Sequence, residues 1–221
     1  MRLIFATNNR HKMTEIISIL PIKYRELAYS IDDVGITVNP DENGTSFIEN
    51  ANIKSLATYR ELKNNNLLKA EDIIIADDTG LSIDFFNGEP GIHSARFLGN
   101  ISQSEKNDKI IEDMKDVKGN DRKCHFTTVL SVIENKKSIF FTDIPTIINF
   151  TGRVDGYIAD KKIGNEGFGY DPIFAVGSPS DIDKKQVKTY SSMGQVNKNK
   201  ISHRAKALYL FTNYLEKNYN I

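Results

Sequence analysis

The 221-residue chain holds a single cysteine, Cys124, so no intramolecular disulfide can form. That fits a reducing compartment, and Cys124 itself reads as a small hydrophobe buried in a strand. Net charge is also missing: Lys plus Arg and Asp plus Glu number 29 each. A balanced chain offers no broad basic face for a nucleic-acid polymer, which disfavours an RNA-binding protein, and any anion site must be local. No apolar run is long enough to cross a bilayer, and the opening MRLIFATNN is too short in apolar residues for a signal peptide. The expectation is a soluble cytoplasmic protein without a membrane partner. The chain lacks the Gly-rich pattern of a P-loop or a dinucleotide fingerprint. It also lacks an internal repeat or a domain linker. Its length therefore suits one domain over residues 1–221, in one or two lobes.

What is present centres on residues 73–97, IIIADDTGLSIDFFNGEPGIHSARF. Three isoleucines read as a buried strand ending at Asp77-Asp78-Thr79-Gly80. Leu81, Ile83 and Phe85 then alternate as a second, half-buried strand. Two adjacent carboxylates at the end of an apolar strand are costly unless paired or metal-bound, and an exposed sheet edge with a cation nearby would remove the cost. Asp-Thr-Gly is also ordinary turn chemistry, so this stretch alone is equally compatible with a polar turn.

The remaining segments supply cations and an aromatic loop. A strand at 3–6 leads through Thr7-Asn8-Asn9 into a helix with Met13, Ile16, Ile17 and Leu20 at helical spacing, stopped by Pro21. Its first turn carries Arg10, His11 and Lys12, against the helix dipole. That arrangement suits an anion held by backbone N–H groups, asparagine side chains and Lys12, or it is simply a solvated basic turn. Ser46 and Glu49 form a capping-box pattern for the next helix, with Ile48, Ala51, Leu56, Tyr59 and Leu62 on its apolar face. Glu42 precedes that helix in an exposed loop, and Lys54 lies on it. Ser102 and Glu105 cap a helix reaching about Val117. Strands are expected at 124–133, 138–143 and 146–159, as an antiparallel meander. GNEGFGYDPIF at 164–174 presents Phe168 and Tyr170 on a Gly-rich loop, suited to stacking on a planar ligand or to pinning the loop to the core. Residues 177–200 are polar without a clear period. Ser202 then caps a last helix that opens with His203-Arg204, behind Lys198 and Lys200, and turns Leu208, Phe211 and Leu215 inward. Two helix starts with cations placed against the dipole, together with a carboxylate pair, suggest a ligand with several negative charges plus a divalent metal.

Five stretches together resemble the inosine triphosphate pyrophosphatase family: FATNNRHK at 5–12, SFIENANIKS at 46–55, ADDTGLSID at 76–84 with PGIHSARF at 90–97, GFGYDPIF at 167–174, and KNKISHRAKAL at 198–208. They stand in the family's order and at similar spacing. The resemblance implies an α/β fold of two lobes around a long mixed β-sheet with flanking helices and a central cleft for the ligand, assembled as a homodimer. It implies Mg²⁺-dependent hydrolysis of ITP, dITP and XTP between the α and β phosphates, cleansing the nucleotide pool of deaminated purines.

Carried over residue by residue, the resemblance gives Thr7, Asn8, Asn9, Arg10, His11 and Lys12 to the triphosphate. Glu42 and Asp78 would hold Mg²⁺, with Asp78 also the general base and Asp77 a supporting carboxylate. Lys54 and Thr79, where the family usually has Ser, would contact phosphate. Phe168 would stack on the base, and Gly169, Tyr170, Asp171, Lys198, His203 and Arg204 would complete the base and sugar pocket. Oxygen ligands suit Mg²⁺, and a donor such as Arg204 would favour a 6-oxo over a 6-amino purine. The sequence departs from the family at Asn8, usually Gly; at His93, usually Tyr or Phe; at Ala205, usually Gly; and over 190–195. Two rivals are a Maf-like pyrophosphatase, opposed by the GFGYDPIF and SHR blocks, and a regulatory nucleotide-binding module, opposed by the presence of Asp78 and Lys12.

Overall fold

The computed structural model describes residues 1–135 and 145–219. In chain order its elements are β1 (Arg2–Phe5), α1 (Arg10–Ile19), α2 (Ile22–Arg25), β2 (Ala28–Ser30), α3 (Phe47–Asn64), β3 (Asp72–Ile83), α4 (Gln103–Asp113), β4 (Lys123–Glu134), β5 (Ile147–Ile158), β6 (Phe174–Val176), β7 (Lys188–Thr189), α5 (Tyr190–Met193), α6 (Gln195–Ile201) and α7 (His203–Asn218). The strands form a seven-stranded sheet in the order β2-β1-β3-β4-β5-β6-β7. It is mixed, as expected: β1 pairs parallel with β2 and β3, whereas β6 pairs antiparallel with β5 and β7. The chain divides into two compact units. The first is Met1–Asp78, Thr128–Gly152 and Arg204–Ile221; the second is Thr79–Thr127 and Arg153–His203.

In the first unit the period-2 alternation of β3 sorts its side chains between two cores. Ile73 and Ile75 pack with Leu3 and Phe5 of β1, with Ile16 and the C-cap Leu20 of α1, and with Leu208 and Phe211 of α7. Ile74 packs with Ile4, Leu62 and Ile133, with Leu56 and Tyr59 of α3 against them. In the second unit Leu81, Ile83, Ile110, Met114, Phe126, Ile158, Tyr170, Phe174 and Tyr190 form one core. Cys124 is buried there in β4, as its sequence context suggests.

Several boundaries differ from the sequence reading. The strand does not end in a turn at Asp77-Gly80: β3 is one twelve-residue strand through Ile83. Nor is it an exposed edge, since β1 and β4 flank it. The two carboxylates stay in the strand because cations meet each of them, as described below. Phe85 lies beyond β3, half exposed in a 3₁₀ turn at Asp84–Phe86. The Ser102–Glu105 capping box forms in full, while Ser46 caps α3 and Glu49 turns back to Thr45 instead. Residues 177–200, polar and without a clear period in the sequence, are partly regular. They hold β7, α5 and α6, elements too short for a period to show. The strand expected at 138–143 lies outside the described residues.

Candidate active site

The first unit gathers charge around the middle of β3. Asp77 and Asp78 are neighbours, so the pleat sends them to opposite faces, each continuing the row of isoleucines on its own side. Asp77 thereby meets α1 and α7: its oxygens lie 3.0 Å from Lys12 Nζ and 3.2 Å from an Arg204 guanidinium nitrogen. Arg204 also donates to Glu15 on α1. All three of Glu15, Asp77 and Arg204 are buried. Burial alone would push the Asp77 carboxyl up, but Lys12, Arg204 and Lys54 outweigh it and hold the group well below the usual carboxylate range.

Asp78 faces α3 instead. Its Oδ1 accepts from Lys54 Nζ at 2.7 Å, and the same ammonium stands 3.3 Å from Glu42 Oε2. Asp78 Oδ2 is buried and has no hydrogen-bond partner among the described residues. Burial, with Glu42 and Asp77 nearby, raises the Asp78 pKa against the opposing pull of Lys54. Glu42 is therefore not the free loop carboxylate its sequence context suggests. The loop behind it is tied down where the buried Asn50 accepts from the Gly44 N–H at 2.9 Å.

A cavity of about 210 Å³ opens beside these groups, lined among others by Thr7, Asn8, Asn9, Lys12, Glu42, Lys54 and Asp77. Asn9 caps α1 by accepting from the N–H groups of His11 and Lys12, and Thr7 Oγ1 accepts from the Asn9 N–H. The Asn9 side-chain oxygen thus serves as the helix cap, while the residue also lines the cavity. Arg10 lines a neighbouring cavity and His11 is exposed.

The second unit holds the aromatic set. Tyr170 donates to the Ser94 carbonyl at 2.8 Å, and Asn107 donates to the Gly169 carbonyl at 3.0 Å. Asp171 accepts from the Phe168 N–H at 2.9 Å and from Lys198 Nζ at 2.7 Å, an ion pair that is almost fully buried. The Gly-rich loop is thus pinned from both sides, and the pinning leaves the half-buried Phe168 ring 4.9 Å beneath the Lys198 ammonium. Gly167, at φ +81°, is required here, since a Cβ would stand 2.2 Å from Asp171 Oδ2. His203 is buried and stacks on Phe126 at 4.4 Å and on Tyr190 at 5.9 Å. Thr79 follows Asp78 on β3 and is half-buried.

The sequence reading missed Glu15 and Asn50. Glu15 had a signal: it sits beside Ile16 on the inward side of α1, where an acid needs a partner. Asn50 had only its position one residue before Ala51 on the buried face of α3.

The chain is an α/β sheet protein whose central strand carries two carboxylates, each met by lysine or arginine, beside a cavity of mixed charged, polar and apolar lining. Comparison with known proteins says which kind. The chain belongs to the Ham1 family, whose model matches residues 3–214. A dITP/XTP pyrophosphatase from Leuconostoc mesenteroides is 39% identical over 209 residues, spanning 94% of this chain and 93% of that protein. One from Bacillus subtilis is 36% identical over 214 residues, spanning 96% of each. The Staphylococcus aureus Ham1 protein superimposes with a TM-score of 0.75 at 33% identity, covering 99% of this chain and 100% of that one. The five sequence blocks thus point to the right family, and the solved relative shares the α/β fold.

Proposed function

We propose that this chain hydrolyses ITP, dITP and XTP to the nucleoside monophosphate and pyrophosphate, and so removes deaminated purines from the nucleotide pool. The names of the curated relatives support the reaction class. The observation that carries it to these residues is the Lys12–Asp77 and Lys54–Asp78–Glu42 pairing around one cavity. Lys12 and Lys54 offset the charge of the triphosphate and of the leaving pyrophosphate. Asp78 takes the proton of the attacking water as one P–O bond forms and the α–β anhydride P–O bond breaks. A carboxyl raised by burial is the better base at neutral pH.

Mg²⁺ fits the donors present. Asp78 has a buried oxygen without a partner among the described residues, and Glu42 is within reach of the same ammonium. Hard oxygen donors of this kind, completed by phosphate and water, suit that ion. Glu42 and Asp78 would hold it. When bound it supplies phosphate charge neutralisation and a more acidic water. Arg204 acts through Asp77, keeping that carboxylate charged beside Asp78. Phe168 and His203, with Lys198 and Asp171, take the purine.

The test is steady-state hydrolysis of ITP, XTP, dITP, GTP and ATP with Mg²⁺, scoring pyrophosphate and monophosphate, with Asp78→Asn alongside. Pyrophosphate release from ITP and XTP far faster than from ATP and GTP, abolished by Asp78→Asn, is expected. Stepwise orthophosphate release, or no preference among bases, would sink the assignment.

A further inference from the structure

Lys54 occupies the ground between the two carboxylates assigned to the metal. Its Nζ lies 2.7 Å from Asp78 Oδ1 and 3.3 Å from Glu42 Oε2, and its side chain is only 13% exposed. A divalent ion taking an oxygen from each carboxylate must displace this ammonium or lie a few ångströms from it. The first breaks two charge-assisted hydrogen bonds, and the second sets like charges together where water screens them poorly.

We infer that Lys54 is an internal counter-cation. In the free protein it holds Glu42 and Asp78 together and keeps a free divalent ion out, so the ion enters only with the triphosphate. The phosphate oxygens then give the ammonium another anionic partner and release the carboxylates. Glu42 is the more exposed of the two, with its side chain 35% accessible against 9% for Asp78, and it is the arm that opens. Lys54 is thus more than a phosphate contact: it sets the order of binding. The inference rests on the reading of Glu42 and Asp78 as metal ligands.

The probe is Mn²⁺ binding to the full-length, nucleotide-free protein, followed by electron paramagnetic resonance of the free ion. Wild type, Lys54→Met, Lys54→Gln, Lys54→Arg and Lys54→Met/Glu42→Gln are compared. A charge within about 4–6 Å changes a carboxylate's proton affinity by roughly ten- to thousandfold, and its affinity for a metal cation moves in the same sense. Lys54→Met is therefore expected to bind Mn²⁺ at least about tenfold tighter than wild type, Lys54→Arg to stay near wild type, and the double variant to lose the gain. Adding an uncleavable imido analogue of ITP is expected to tighten Mn²⁺ binding in wild type and to narrow the gap. Lys54→Gln gives the same comparison if Lys54→Met does not fold. Neutral variants that bind Mn²⁺ no tighter than wild type overturn the inference, as does a gain that survives loss of Glu42. A flat Mn²⁺ series with ITP hydrolysis intact removes Lys54's role alone. A tightened series without ITP hydrolysis removes the proposed substrate alone.

Discussion

Replacing Arg204 with methionine keeps the bulk of the side chain but takes the guanidinium away from Glu15 and Asp77. Arg204 is 1% exposed, and the two acids are 2% and 5% exposed, so water cannot take its place without opening the packing of α1, β3 and α7. Hydrogen bonds to charged groups contribute about 1.5–3 kcal/mol each. Two such contacts agree with the roughly 3–5 kcal/mol lost when one member of a buried ion pair is removed. Urea unfolding of Arg204→Met is expected to show a loss of about that size, with an unchanged denaturant slope. Adding Glu15→Gln returns part of it, because a neutral amide no longer needs the cation. The acid limb gives a second check. Asp77 has a folded-state pKa below its unfolded value of about 3.9, so its contribution is present above that pH and is lost as the pH falls through the lower folded value. Removing Arg204 weakens the depression. The deficit of Arg204→Met should therefore be steady near neutrality and shrink below about pH 4. A variant as stable as wild type at pH 7, or a deficit that grows toward acid, would refute this account of the buried network.

Other consequences are simpler to measure. Gly167→Ala must move Asp171 or the loop, because the new methyl would stand 2.2 Å from the carboxylate. Gly169→Ala has a positive φ but open space, so it should cost the smaller share of stability and raise the KM for ITP less. Equal effects on melting temperature and KM would contradict the close-approach argument. Tyr170→Phe leaves the buried Ser94 carbonyl without its 2.8 Å donor and is expected to cost about 1–3 kcal/mol in urea unfolding. No loss would mean another donor takes over.

The apolar periodicities and cap residues of the sequence determined most of the elements by themselves. α1 ends before Pro21, α3 begins after Ser46, α4 after Ser102, and β4 and β5 run along their apolar stretches. These signals are local, and neighbouring residues alone satisfy them. The motifs also determined the family, because five blocks in fixed order constrain a chain more tightly than any one of them. Tertiary structure decided the rest. Asp77-Asp78-Thr79-Gly80 reads as a turn because isolated carboxylates resist burial. It is strand because Lys12 and Arg204 approach one face and Lys54 the other, from helices 24–127 residues away in the chain. The sequence shows which residues carry charge. Only the folded chain places each cation within about 3 Å of its acid, the range in which charge pairing outweighs the cost of leaving water.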